Sequence, residues 1–458
     1  MNPLVLILVA LVALAVTGLT VPYLIKYAWK RQHIDRPDGE RKKHGRPTPT
    51  LGGLAIVAGV IAGMGTLAVA GYWGTFWSAI PSVGVWSGAA LMIGVGIYDD
   101  TRETNHKVKF VFQLLAGYIL LHAGYRIDLS GYAFIGGDPY TEALYSIPLT
   151  LLWVVGVINA VNLMDGLDGL AAGISLIGFF SMAVIMAGQG LAGGLMVAVI
   201  MMGALAGFLI HNYHPAIIFM GDSGSLFLGF MLAAGSLELQ AYADSTMALL
   251  VPVVLLGVPI IDTAVTILRR FLSGASIFYP DHDHVHHRLR EAFSHERAVL
   301  ILYGVALWFG TAAFLMASLP APWPYVVFGV VVVTTGVGLH LVGYLQARAI
   351  LRAARLRYIK TQRQRAQGVQ ASAGAAEAAP VASSATGLDT SASEAAPKKP
   401  APHSADESSK TTAQVEHNGT ESTAASDERG DGVVEDRPPY LVPSKSSGEV
   451  SSDEVSSG

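Results

Sequence analysis

The sequence predicts an all-α, polytopic integral membrane protein with about eleven transmembrane helices, and three observations carry that expectation. Of 458 residues, 52% are hydrophobic and only 14% charged, whereas a soluble globular protein carries roughly 25% charged residues. Eleven apolar stretches, most of them long enough to cross about 30 Å of hydrocarbon, alternate with short polar segments. Basic residues fall almost wholly in alternate loops.

The first stretch, 3–23, is followed rather than preceded by positive charge, at Lys26. A signal peptide has the opposite order, so this reads as an uncleaved first helix. The others are 51–72, 83–98, 110–125, 144–161, 170–187, 191–210, 226–239, 247–268, 299–319 and 325–345. Three are shorter than about 17 residues and need tilt, or ends that run into polar flanks. Lys and Arg number 8 in 26–46, 3 in 102–109, 5 in 269–297 and 7 in 348–365, against Arg126 alone on the other side. By the positive-inside rule the N-terminus lies outside, and those loops and the C-terminus are cytoplasmic.

Three regions follow: a transmembrane domain over 1–346, a basic juxtamembrane helix over 347–365 and an acidic tail over 366–458. The tail holds 6 basic and 15 acidic residues in low-complexity Ala/Ser/Glu/Pro sequence. It has too little apolar content to offset chain entropy and reads as disordered. The chain has no cysteine, which excludes disulfides, thiolate catalysis and Cys-based metal sites. An acidic tail without a basic domain argues against nucleic acid as a partner.

Charge near a membrane span is costly and marks a functional candidate. With the orientation above, Asp99, Asp100, Asp165, Asp168 and Asp222 fall on one face of the bilayer. The segments 159–168 and 211–225 contain no Lys or Arg. Such an uncompensated acidic pocket suits a hard divalent cation. Mg2+ takes oxygen ligands, usually one or two carboxylates plus substrate phosphates.

"IYDD" puts Asp99 and Asp100 side by side at a helix end, where repulsion is relieved by a shared cation; two solvated acids in a turn are the plainer alternative. In "NAVNLMDGLDGLAAG", Asn159, Asn162, Asp165 and Asp168 recur at spacing three and can share a helical face or line a broken helix. Gly166 and Gly169 there allow a phosphate or a backbone to come close. "HNYHPAIIFMGDSGSLFLG" carries Asn212 and Asp222, with Ser225 opening the next span; a glycine-rich turn feeding a helix N-terminus cradles phosphate, and an N-cap is the structural alternative. "YPDHDHVHHRLR" packs His282, His284, His286 and His287 beside Arg288. A zinc site or a solvated loop are alternatives, but without Cys and with Mg-type acids elsewhere, pyrophosphate binding is favoured.

In order along the chain, "IYDD", "KVKFVFQ", "NAVNLMDGLDGLAAG", "FMGDSGSLFLG" and "DHVHHRL" resemble the motifs of the polyprenyl-phosphate N-acetylhexosamine-1-phosphate transferases. The loop "RPDGERKKHGRPTPTLGG" resembles that family's first cytoplasmic loop, and the likeness covers roughly residues 20–300. It implies transfer of a sugar-1-phosphate from a UDP-sugar to undecaprenyl or another polyprenyl phosphate at the cytoplasmic face of the plasma membrane. UMP is released, Mg2+ is the cofactor with Mn2+ as substitute, and the product initiates a lipid-linked envelope glycan. The resemblance further implies catalytic roles for Asp99, Asp100, Asp165 and Asp168, and metal binding by Asp99, Asp100 and Asp222. Substrate contact is implied for Lys109, Asn159, Asn162, Asn212, Ser225, His284, His286, His287 and Arg288. The His-Val-His-His-Arg-Leu order from His284 is similar to the UDP-GlcNAc group. The pentapeptide enzymes of peptidoglycan synthesis, which typically show three consecutive His, are the alternative within the family. A homodimer is implied by resemblance only. A polytopic transporter is the alternative from another class, disfavoured because all candidate groups lie on one face.

Overall fold

A computed structural model of the chain describes residues 2–35, 47–79, 82–102, 104–129, 138–240, 249–272 and 285–341. The expected basic helix (347–365) and acidic tail (366–458) lie outside the described residues, as does His284. The architecture is all-α. The one sheet among the described residues is an antiparallel pair, β1 (Ile34–Asp35) with β2 (Thr48–Pro49).

Helix α1 (Pro3–Arg31) is capped by the Asn2 side chain, which accepts from Leu4 N, and carries Lys30 and Arg31 in its last turn, where the helix dipole favours cations. It runs beyond the expected end at residue 23, so Lys26 is helical. Then come α2 (Gly52–Val69), the short aromatic α3 (Trp73–Ala79), α4 (Ser82–Arg102) and α5 (His106–His122). The middle of the chain supplies α6 (Pro139–Met164), α7 (Leu170–Gln189), α8 (Ala192–Asn212) and α9 (Gly221–Gln240). The last part supplies α10 (Leu250–Leu255), α11 (Gly257–Leu272), α12 (Val285–Ala292), α13 (His295–Ser318) and α14 (Trp323–Leu341).

Among the described residues seven helices are long and apolar enough to cross a membrane: α1, α2, α6, α7, α8, α13 and α14. The chain is therefore a multi-pass membrane protein. The remaining expected stretches also fall on helices, α4, α5, α9 and the α10–α11 pair. One of them differs from expectation: 247–268 is not continuous but breaks at Leu256. Pro259 has no N–H to offer the preceding turn, and Gly257 leaves room for the Phe309 ring, 2.9 Å from where a Cβ would stand.

Helix α9 is buried on nearly every side, packed by α2, α4, α6, α7 and α10. By contrast α1 and α14 expose Leu4, Leu11, Leu19, Val332 and Val333, the side chains of a lipid-facing surface. Helices in lipid gain little from the hydrophobic effect and associate by close packing at small residues. Gly203 and Gly207 of α8 show this: a Cβ at either would collide with the Ala10 or Leu14 carbonyl oxygen of α1.

Candidate active site

The ends of α4, α6 and α8 and the starts of α5, α7 and α9 meet at one place. Up-and-down connection puts these ends on the same side of the bundle, and side-chain bonds between them confirm it.

Asp100 sits in the last turn of α4 and closes the N-terminus of α9. Its carboxylate accepts Asp222 N at 2.7 Å and Ser223 N at 3.1 Å. These are orphan donors of a helix first turn, and a carboxylate there also meets the favourable dipole end. Two glycines make the approach possible. A Cβ at Gly96 of α4 would collide with the Ser223 backbone, and one at Gly221, whose φ is 73°, would collide with Thr50 O.

Lys109 of α5 joins two of the expected acids. Its Nζ lies 2.7 Å from Asp99 Oδ2 and 2.5 Å from Asp222 Oδ2. Asp99 Oδ1 also accepts Thr104 N at 2.7 Å. From α6, Asn162 Nδ2 donates to Asp222 Oδ1 at 3.2 Å and to Ser225 Oγ at 2.8 Å. One turn back, Asn159 exchanges bonds with Gln113 of α5, donating from Nδ2 to Gln113 Oε1 at 2.7 Å.

Asp165 ends α6 and is half-buried. Burial, together with the charges of Asp222, Asp100 and Asp168, pushes its carboxyl well above the usual carboxylate range. Among the described residues no donor bonds this carboxylate. A half-buried acid facing other acids without a donor is the arrangement that a divalent cation relieves. The chemistry of the donors suits Mg2+, which takes oxygen ligands: the carboxylate of Asp165 faces those of Asp222 and Asp100. Asp100, expected at the metal, accepts α9 backbone N–H groups with both oxygens, and Asp99 and Asp222 likewise each accept with both.

The turn 165–169 is heavily fastened. Gly169, at φ 77°, donates its N–H to Asn212 Oδ1 at 3.1 Å, and Asn212 Nδ2 donates to Ile218 O at 2.9 Å. Asn212, expected at the substrate, is thus buried with its amide bonded to backbone at both ends. Asp168 Oδ2 lies 2.7 Å from His214 Nδ1 and accepts Ala216 N at 3.2 Å. His295 Nε2 is 3.2 Å from Asp168 O, and Tyr303 Oη donates to Gly169 O at 2.6 Å. Ligand atoms of Asp168, His214 and His295 lie within 4.8 Å of one another. The two imidazoles stack at 4.1 Å and 16°, each with a nitrogen already engaged by Asp168, so they brace the turn.

The structure therefore brings together Asp99, Asp100, Lys109, Asn162, Asp165, Asp222 and Ser225, with Asp168 and Asn159 alongside. His286, His287 and Arg288 lie on α12, whose first N–H, from Val285, is bound by Asp262 Oδ1 at 2.7 Å. Sequence reasoning missed Gln113, His214, Asp262, His295 and Tyr303. Gln113 stands four residues after Lys109 on the same helix face, a spacing that could have flagged it. The others are single polar residues whose partners are remote in sequence.

Fold and site define a multi-pass membrane protein with an acidic, lysine-bridged centre where six helix ends converge. Residues 82–240 match the family described as glycosyl transferase family 4. Over 315 residues the chain is 39% identical to a Bacillus subtilis (strain 168) protein named "Probable undecaprenyl-phosphate N-acetylglucosaminyl 1-phosphate transferase", covering 68% of this chain and 85% of that one. It is also 39% identical over 306 residues to the decaprenyl-phosphate N-acetylglucosaminephosphotransferase of Mycobacterium tuberculosis (strain ATCC 25618 / H37Rv), covering 61% of this chain and 74% of the relative. A phospho-N-acetylmuramoyl-pentapeptide-transferase of Lacticaseibacillus paracasei is 36% identical over 249 residues, covering 50% of this chain and 74% of that one. The chain belongs to glycosyl transferase family 4, as the motif resemblance implied.

Proposed function

We propose that the chain transfers N-acetylglucosamine-1-phosphate from UDP-N-acetylglucosamine to a polyprenyl phosphate, releasing UMP, with Mg2+ as cofactor. The site faces the cytoplasm from the plasma membrane, with the N-terminus outside, and the product starts a lipid-linked envelope glycan. The carrying observation is Lys109 clasped by Asp99 and Asp222 beside the unbonded Asp165, in a chain 39% identical to two proteins named for this transfer. The pentapeptide-transferase relative is less similar, at 36% over a shorter stretch.

Both reactants are anions, so the main catalytic demand is positive charge where they meet. Bound Mg2+ would supply Lewis-acid stabilisation of the diphosphate and the leaving UMP, and Asp165 together with Asp99, Asp100 and Asp222 are the residues that would hold it. Asp99 and Asp222 fix the Lys109 ammonium from two sides, which presets a cation for the approaching phosphates. Asn162 orients Asp222 through Oδ1, leaving Oδ2 to Lys109. Asp100 fixes the start of α9 and so the position of Asp222. Arg288 on α12 is the residue that would supply a second cationic contact, as the motif resemblance implies.

Direct attack by the lipid phosphate needs little help from a base. A phosphate monoester has its second pKa near 6 and is mostly a dianion at pH 7. An aspartate therefore acts by positioning rather than by accepting a proton.

The test is UMP release by purified protein across a panel of UDP-sugars, with and without polyprenyl phosphate and Mg2+. Release with UDP-GlcNAc that needs both is expected. Release with UDP-MurNAc-pentapeptide alone would move the assignment within the family, and no release with any donor would favour a transporter. Radioactive phospho-sugar trapped on the protein without lipid acceptor would overturn direct attack.

A further inference from the structure

The acidic turn 165–169 is held from a helix that lies outside the segment matching the family, since α13 begins beyond residue 240. We propose that His295 and Tyr303 of α13 are positioning residues for the transfer reaction, holding the backbone of Asp168 and Gly169 so that the Asp165 and Asp168 carboxylates keep their aim. The inference rests on the transfer reaction proposed above.

The turn needs such a hold. It carries two carboxylates within five residues, and Asp165 also faces Asp100 and Asp222. Like charges at this range repel and tend to open the connection between α6 and α7. Two bonds from α13 oppose that opening. Tyr303 Oη donates to Gly169 O at 2.6 Å, and its ring lies against Gly173, where a Cβ would collide with the phenol. The phenol is thereby set by the first turn of α7 and fixes Gly169, the residue just before α7. A carbonyl only accepts, so the bond between His295 and Asp168 O uses a protonated Nε2. The same ring stacks on His214, which bonds the Asp168 carboxylate. Residues 293 and 294 are all that separate α13 from α12, so one helix ties the acidic turn to the histidine-bearing segment.

Tyr303→Phe, His295→Ala and His295→Gln test this in the full-length protein reconstituted in nanodiscs. Tyr303→Phe and His295→Ala should each lower kcat about fivefold to tenfold, the factor one hydrogen bond controls. KM for polyprenyl phosphate should not change. His295→Gln keeps an amide donor and should recover most of the loss. Amide exchange reads the same bonds without turnover: it should accelerate over 165–170 in Tyr303→Phe and stay unchanged in α1 and α2. Wild-type kcat in both disabling variants with unchanged exchange, or a glutamine variant as impaired as alanine, overturns the assignment. A wild-type protein that releases no UMP, yet shows the local exchange change, overturns the proposed reaction and leaves the bracing of the turn standing.

Discussion

The Asp100 carboxylate accepts the backbone N–H of Asp222 at 2.7 Å, so an acid of the fourth helix caps the ninth. Nearby Ser223 N completes the pair at 3.1 Å. Of the two neighbouring acids in "IYDD", Asp100 thus caps a helix and Asp99 is bonded to Lys109. Asp100→Ala should lower thermal stability by about 1–3 kcal/mol, the range for a lost cap that leaves buried donors unpaired. Asp99→Ala should lower it less, because Lys109 keeps Asp222. Melting of the detergent-purified variants separates the two.

Lys109 links Asp99 and Asp222 across α4, α5 and α9. Removing it leaves two carboxylates close together without a cation. Lys109→Met should lower UMP release by about 100-fold or more, the scale of losing one preorganised electrostatic group. Lys109→Arg retains charge but not the compact ammonium, and should fall between. Steady-state rates at saturating UDP-sugar check this.

How much of this was legible beforehand follows from the range of the interactions. Apolar length and loop charge located the helices, because the bilayer imposes both locally along the chain. The break at Leu256 was missed because Pro and Gly are common in membrane helices, and the packing of Phe309 on Gly257, which accompanies Pro259 here, is set by tertiary structure. Asp99, Asn162 and Asp222 were found because acids and amides between apolar runs are rare, and Lys109 through the resemblance of its motif. Their division of labour was not legible: whether Asp100 or Asp165 is left without donors depends on where the α9 N-terminus lands. The partners of Asn212, Gly169 N and Ile218 O, are likewise set by tertiary structure.

Gly221 combines two demands. Its φ is 73°, and an added Cβ would collide with Thr50 O and stand 2.8 Å from the Asp100 oxygens. Gly221→Ala should cost at least about 1–3 kcal/mol from backbone conformation alone, before any clash. It should also displace the cap described above, so activity and melting temperature fall together. Paired melting and UMP-release measurements on this variant would show the linkage.

Chelation should abolish turnover, and added Mg2+ should restore it. Stability should follow the same ion. A cation that binds the folded state stabilises it by mass action, by about 2.7 kcal/mol at a hundredfold excess over Kd. The melting temperature of wild-type protein should therefore rise with Mg2+ concentration. In a variant lacking both Asp165 and Asp222 carboxylates the rise should disappear.

Asp165 offers the sharpest contrast between folding and function. Burial and the neighbouring acids raise its carboxyl in the folded protein. A carboxyl raised above its unfolded value destabilises the fold at neutral pH, where ionisation is forced, and this cost diminishes as pH falls through the folded pKa. An amide at this position carries no such charge. Asp165→Asn should therefore melt at the same temperature as wild type or higher in EDTA, and its melting temperature should depend less on pH on the acid side of neutrality. Its UMP release should nonetheless fall by about 100-fold or more if the carboxylate serves the reaction. A variant that is less stable in EDTA and fully active would reverse both halves of the argument, showing Asp165 to be a structural acid with an unrecognised partner.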